Sequence, residues 1–290
     1  MTFQIIIIAQ VLVSALMTIF TRKLSLTDRK LFFVIGAVSY GVVAIMGILL
    51  SLMFNAHSIS FPQSQAWPYL ILEAIFIPIS WLLQYKIIQK LGASNAVLTT
   101  MLNYVSAACL GFVLLGDTFS VRFLIGLVFI MASIYIAFNV QPDTKHELQT
   151  SKLVVIVLVF CMALAFAFGM FTEKRAIDII GVWSYAMFGW SLQFISSLVL
   201  LVLYGKREIV HTTAPKVRKA MLLGFITSIA GGLYIYALSI GTLSRTVIAA
   251  SGKIALVMIL AAIVLKERNS IKLRISAFVL AMGGLVFLTW

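Results

Sequence analysis

The sequence predicts an all-α membrane protein of ten transmembrane helices, arranged as two inverted five-helix repeats. Three observations predict it. Of 290 residues, 62% are hydrophobic and 11% charged. A soluble chain carries roughly 45–50% and about 25%, so one globular core cannot hide this much apolar surface, and a soluble enzyme is excluded. Residues 1–21, 31–72, 91–116, 123–142, 153–172, 179–205 and 220–244 contain no Lys, Arg, Asp or Glu, and stretches of about 18 or more such residues read as membrane spans. The third observation is an internal repeat, described below.

At about 20 residues per span, the helices fall near 3–21, 31–54, 67–89, 95–115, 121–139, 152–172, 181–204, 219–241, 244–265 and 271–290. The first starts at once with the apolar run from Phe3, lacking a basic n-region and a small-residue cleavage site, so it is expected to be retained. The second and third are parted by the polar stretch Asn55 to Gln65, with His57 and Pro62. Trp67 and Trp183 stand at helix entrances, where aromatic belts belong. Pro78, midway in the third, removes a backbone hydrogen bond and bends the helix. Ala107 with Gly111, and Ala277 with Ala281, are small-xxx-small pairs that suit helix contacts. Cys109 and Cys161 both fall in spans, where packing rather than a disulfide or metal is expected. The hydrophilic segment Gln141 to Lys152 divides the chain into halves 1–140 and 151–290, with no soluble domain.

The halves align at an offset of 150: Ser94 with Ser244, Val97 with Val247, Leu115 with Leu265, Asp117 with Glu267, and Ser120 with Ser270. An acid thus closes the fourth helix of each half, followed by Arg122 or Lys272 at the start of the fifth. Thr21-Arg22-Lys23 echoes Thr172-Glu173-Lys174 at a spacing of 151. An odd number of spans per half makes the second half insert upside down, the plan of many secondary transporters, whose substrate site lies near the midplane between repeats.

Two five-helix halves, short loops, Gly-bounded entries at Leu91-Gly92-Ala93 and Ile240-Gly241-Thr242, and Leu-Gly-Asp at 115–117 beside Leu-Lys-Glu at 265–267 resemble the EamA-type members of the drug/metabolite transporter superfamily. The family pattern is usually Gly-Glu at both acid positions, and Gly116-Asp117 and Lys266-Glu267 each depart from it by one residue. The resemblance covers essentially the whole chain. It implies secondary transport of a small metabolite through a central cavity, without ATP or a cofactor. Its substrates range from amino acids to nucleotide sugars, so it names none. In the superfamily the fourth and ninth, or fifth and tenth, helices can mediate dimers, which leaves a homodimer open.

Net charge is +13, from 22 Lys+Arg against 9 Asp+Glu. With no nucleic-acid motif beside it, this surplus belongs to cytoplasmic loops. Arg122, Lys174, Arg175 and Arg245 fall on one face of the membrane, and seventeen basic residues, among them Arg22, Lys86, Lys206 and Lys219, on the other. The positive-inside rule makes the seventeen-charge face cytoplasmic and both termini external, whereas the family is expected to keep both termini inside. The chain is expected in the plasma membrane, a prokaryotic inner membrane, as a multi-pass protein in contact with lipid and with no nucleic-acid partner.

Lys253 is the most informative residue. It lies nine residues into the ninth span, about 13 Å deep, where a cation costs on the order of 2.5–3.5 kcal/mol. It reads as a cavity-facing ammonium for an anionic group, or as one that pairs with a carboxylate. Glu73 is the only acid well inside a predicted span, at comparable depth in the third, and is a candidate proton site or ion-pair partner for Lys253. Asn103 is the counterpart of Lys253 at the 150-residue offset. Gln10, Gln84, Tyr85, Tyr104, Tyr234 and Ser251 complete the substrate-binding candidates, with Ser14, Trp81 and Tyr236 beside them and Gln193 and Trp190 as weaker ones. Catalysis has no support: His57, His146 and His211 fall in loops, and no metal-ligand spacing, nucleophile elbow or phosphate loop is present. The reading is a secondary active transporter of a small polar metabolite, such as an amino acid or organic ion, working by alternating access. The alternatives are transport or exchange of phosphorylated or nucleotide-linked anions and, in another class, a non-transporting membrane scaffold.

Overall fold

Lipid offers no partner for backbone N–H and C=O groups, so a spanning chain must satisfy them within its own segments, as helices do. The computed structural model describes residues 2–28, 31–55, 61–116, 121–139, 152–265 and 271–289. These form α1 (Thr2–Thr27), α2 (Phe32–Asn55), α3 (Trp67–Thr99), α4 (Met101–Leu115), α5 (Val121–Asn139), α6 (Lys152–Ile180), α7 (Val182–Tyr204), α8 (Lys206–Val210), α9 (Ala214–Ile240), α10 (Leu243–Ala250), α11 (Lys253–Val264) and α12 (Ile271–Thr289). Among the described residues, eight stretches are long and apolar enough to cross a membrane, and shorter apolar stretches, Leu124–Ile136 and Ile275–Gly284, lie in α5 and α12. The first eight match predicted spans one to four and six to nine, and the last two fall at the predicted fifth and tenth. Asp117, Ser120, Lys266, Glu267 and Ser270 of the repeat motif, and most of the dividing segment, lie outside the described residues.

Polar residues within the spans turn inward, and α1 shows the pattern. In α1, Ile5, Ile8, Leu12 and Leu16 are exposed, while Gln10, Ser14, Thr18 and Thr21 are buried. Each set recurs every three or four residues, which keeps it on one helix face. Packing interleaves the halves: α2 lies against α7, α3 against α6, α5 against α12, and α1 against α9, while α2 also meets α9, α3 meets α7, α4 meets α6 and α10, and α1 meets α11. Missing side chains permit the closest approaches. A Cβ on Gly224 would stand 2.6 Å from the Ser39 carbonyl oxygen, so α9 and α2 touch backbone to backbone there.

Several predicted boundaries move. The first span does not end at Thr21: α1 continues to Thr27, and Arg22, expected in a loop, is 2% exposed and donates from Nη1 to the Ile88 carbonyl, 2.9 Å away. The sixth does not end at Thr172. The charges of Glu173-Lys174-Arg175 suggested the membrane surface, yet apolar Ala176, Ile177, Ile179 and Ile180 carry α6 on until Gly181, whose φ of +79° is a conformation glycine adopts without strain. Helical hydrogen bonding also runs through the predicted connection at Gly92, where the candidate spans Trp67–Leu91 and Ala93–Leu115 meet, and the interruption comes at Thr100. In the second half the chain leaves the helix at Gly241, and Thr242 caps α10 by accepting from the Arg245 N–H at 3.3 Å.

On the side where α1 ends, Glu208 of α8 caps α2. Its Oε2 accepts from the Phe33 and Val34 N–H groups at 2.7 and 3.1 Å, donors that a helix start leaves without intrahelical partners. Nearby, the buried Asp28 pairs with Lys219 at 3.5 Å and Lys216 at 3.9 Å. Burial pushes the Glu208 carboxyl above its ordinary range, and the backbone donors at Val34, Phe33 and Phe32 pull it back in part. A carboxyl raised in the folded state contributes stability that is lost as pH rises through its folded-state value. Glu208→Gln keeps an acceptor oxygen and removes the charge. Its melting temperature should equal that of the wild type near about pH 4 and exceed it at neutral pH; a variant less stable than wild type at neutral pH would show that the ionised cap is favourable.

Candidate functional site

Span nine is two helices. Leu243–Ala250 and Lys253–Val264 are joined by a turn at Ser251 and Gly252, and Lys253 opens the second piece. At this turn Gly252 faces α1, where a Cβ would be in ordinary contact with Val11 Cγ2 at 3.9 Å. The lysine is 8% exposed, and its ammonium stands 5.7 Å from the Tyr104 ring centroid, within the range of cation–π attraction. Among the described residues no carboxylate lies at ion-pair distance from it. Tyr104 in turn meets Phe166 of α6 edge-on at 5.7 Å.

Lys253 and Tyr104 face a central cavity of about 180 Å³, well above the roughly 10–15 Å³ needed to hold one water. Its wall draws on α1, α2, α3, α4, α6, α7, α9, α10 and α11, and so on both halves of the chain. Trp81, Trp190, Tyr40 and Phe166 give it aromatic faces, and Gln10, Ser14, Gln84, Gln193 and Thr227 add polar groups. Gln10 donates to Ser14 Oγ at 2.8 Å, and its Oε1 has no partner; Tyr234 OH has none either. Glu173 lines the wall as well, so the cavity carries one ammonium and one carboxylate among the described residues. Such a site can hold both ends of a zwitterion, or either charge alone, between aromatic faces.

Of the residues singled out in the sequence, Lys253, Gln10, Gln84, Tyr104 and Tyr234 line this cavity, as do Ser14, Trp81, Trp190 and Gln193. Asn103, Tyr85, Ser251 and Glu73 are buried but do not line it. Asn103 sits three residues beyond the interruption at Thr100, whereas Lys253 directly follows the turn at Ser251 and Gly252. A two-residue difference is about 200° around a helix, so equivalent sequence positions present different faces. Tyr85 instead packs on Phe32 and Trp81, with ring centroids 5.3 and 5.6 Å away, and Ser251 spends its hydroxyl on the Ile248 carbonyl.

Among the described residues Glu73 has no cation beside it. Its Oε1 accepts from Tyr185 OH at 2.8 Å and from Gln193 Nε2, and Tyr185 OH also lies 2.9 Å from Glu173 Oε1. Of the two roles open to Glu73, ion-pair partner of Lys253 or proton site, the contacts seen are those of a buried cluster of two carboxylates on one phenol. Nor is Glu73 the only acid inside a span: Glu173 is 4% exposed in α6. Glu173 escaped the sequence reading because α6 was ended too early, and Tyr185, inside the predicted seventh span, because nothing in the sequence sets it apart from other span tyrosines. The available signal was the echo of Arg22 by Glu173 at equivalent positions of the two halves, both of which are buried.

Residues 1–139 match the EamA-like transporter family. No curated relative matches the chain. A solved chain described as "Crystal structure of protein" superposes with a TM-score of 0.73 at 13% identity, over 99% of this chain and 96% of its own, a likeness of fold. With eight stretches fit to cross a membrane, this is a multi-pass membrane protein, and its residues 1–139 are similar to the EamA-like transporter family, the resemblance read from its sequence.

Proposed function

We propose that this protein is a secondary active transporter that moves a small polar metabolite across the plasma membrane, a prokaryotic inner membrane, by alternating access. The observation that carries this reading is the central cavity built by helices of both halves and furnished with Lys253 and Glu173. A membrane scaffold has no use for a buried ammonium without a carboxylate partner. In a transporter the ammonium is kept for a ligand that supplies the opposite charge.

Two inverted five-helix repeats, 1–140 and 151–290, account for the packing. Exchanging first with sixth, second with seventh, and so on, maps the α3–α6 contact onto α1–α9, the α2–α9 contact onto α3–α7, and the α4–α6 contact onto α1 with the two pieces of span nine; α2–α7 and α5–α12 map onto themselves. Interruptions at Thr100 and at Ser251 to Gly252 fall at corresponding places in the fourth and ninth spans, the discontinuous-helix pattern of transporters with midplane sites. Rocking one half against the other then opens the cavity to each side in turn.

Lys253 also favours a second reading, a phosphorylated or nucleotide-linked anion, but the Glu173 carboxylate on the same wall opposes a multiply charged one. A thermal-shift screen of the purified protein separates them. At a hundredfold excess over Kd a ligand adds about 2.7 kcal/mol of stability. Free amino acids and small organic ions should raise the melting temperature, and the hits should exchange by counterflow in liposomes. Stabilisation by sugar phosphates or nucleotide sugars alone would favour the second reading, and no counterflow for any stabilising compound would remove the transporter.

A further inference from the structure

We infer that Glu73 and Glu173 hold one proton between them through Tyr185, a shared proton site that joins α3, α6 and α7. The inference stands apart from the transport reading; in a transporter, this proton becomes the ion whose movement the site is built to follow.

Hydrogen counting carries it. Glu73 and Tyr185 are each 0% exposed. The single phenol hydrogen of Tyr185 faces two carboxylate oxygens, at 2.8 Å on Glu73 and 2.9 Å on Glu173, and a hydroxyl donates once. Gln193 Nε2 serves Glu73 and, at 3.4 Å, the phenol oxygen, and neither contact reaches Glu173, so Glu73 is supplied while the contact from Tyr185 to Glu173 has no hydrogen left to fill it. A proton on Glu173 completes the set: its carboxyl donates to the phenol oxygen, and the phenol donates on to Glu73. The mirror arrangement, with the proton on Glu73 and the phenol donating to Glu173, uses the same number of hydrogens.

No other group does this work. Among the described residues no cation lies at ion-pair distance from either carboxylate. The ionisable groups facing the cluster from neighbouring elements are Tyr40 of α2 and Tyr234 of α9, with Tyr104 of α4 and Lys253 of α11 across the same cavity. Among the described residues the ammonium makes no bond to either acid. The ring of Tyr185 is held in place by the absence of a side chain at Gly189, where a Cβ would stand 2.5 Å from Tyr185 Cε2.

The site has an entrance. Of the two acids Glu173 alone lines the cavity, so the proton leaves from its side to cavity water; among the described residues the second oxygens, Oε2, of both acids are buried without a partner. Departure leaves two carboxylates on one phenol, and like charges so placed repel. Relief requires α3 to part from α6 or α7, so occupancy by one proton sets how tightly these three helices pack.

Infrared spectroscopy of the full chain reconstituted in lipid tests this with the proton itself as the probe. At neutral pH the wild type should show the C=O stretch of a protonated carboxylic acid, shifted in D2O. Glu73→Gln and Glu173→Gln should each abolish that band, because the remaining carboxylate has Tyr185 to itself and needs no proton. Tyr185→Phe should keep the band at a different frequency. Absence of the band in the wild type, which needs no variant to fold, would overturn the inference. So would a band that survives either Glu→Gln change, since that acid is then protonated alone, or one that Tyr185→Phe leaves in place unshifted.

Discussion

Lys253→Met should weaken substrate binding roughly ten- to hundredfold while leaving the protein at least as stable as the wild type. A charged hydrogen bond is worth about 1.5–3 kcal/mol, and each 1.4 kcal/mol is about a tenfold change in Kd. On the folding side, an ammonium at this depth costs about 2.5–3.5 kcal/mol. The Tyr104 ring beneath it, at 5.7 Å, returns about 0.5–2 kcal/mol. The cost exceeds the return, so Met, similar in length and uncharged, should hold or raise the melting temperature. Binding of the compound found by thermal shift and the melting curve of the empty protein are the two readouts. A fall in melting temperature that Glu173→Gln reproduces, and that the double variant does not deepen, would make the two residues a structural pair across the cavity.

Gly47→Ala should have the largest effect on stability of any single methyl added to the described helices. The new Cβ would collide with the Ala186 carbonyl oxygen and stand 2.8 Å from Trp190 Cε3. Overpacking costs typically about 1–3 kcal/mol, and here the obstacle is backbone, so α2 must back away from α7 and shift Trp190 on the cavity wall. Gly232→Ala is the control. Its Cβ would meet only Leu50 Cδ1 at 3.8 Å and Trp190 Cη2 at 3.9 Å, and alanine is favoured over glycine in a helix by roughly 0.5–1 kcal/mol. A lower melting temperature and less folded protein for Gly47→Ala, with Gly232→Ala unchanged or better, is the expected result. Equal stability of the two would mean that α2 and α7 have slack at this crossing.

Uninterrupted apolar runs are long-range signals, and they placed the helices well, because a span needs only length and the absence of charge. Charged residues near span ends were the weak point. Arg22 and Glu173 look like surface markers in sequence, and both are buried because a neighbouring helix supplies a partner, the Ile88 carbonyl in one case and Tyr185 in the other. Only tertiary packing reveals such partners. Lys253 stood out because a lone cation in an apolar run is costly wherever it points. Asn103 did not follow it to the cavity, since helical phase depends on where each helix is interrupted, and the interruption at Thr100, unlike that at Gly252, has no glycine or proline to announce it.

The interleaving of the halves bears on how the chain is made. The principal contacts of α1 are with α9 and α11, and α3 rests on α6, so the early helices find their partners only after much of the remaining chain has been synthesised. Residues 1–139 are thus a unit of sequence without being a unit of assembly. Until α6 to α11 arrive, the polar face of α1 with Gln10 and Ser14, and the buried carboxylate of Glu73, have no protein surface to cover them. During biogenesis these early helices need shelter in the insertion machinery or in each other, and a nascent chain stalled after the first half is the form most exposed to quality-control proteolysis.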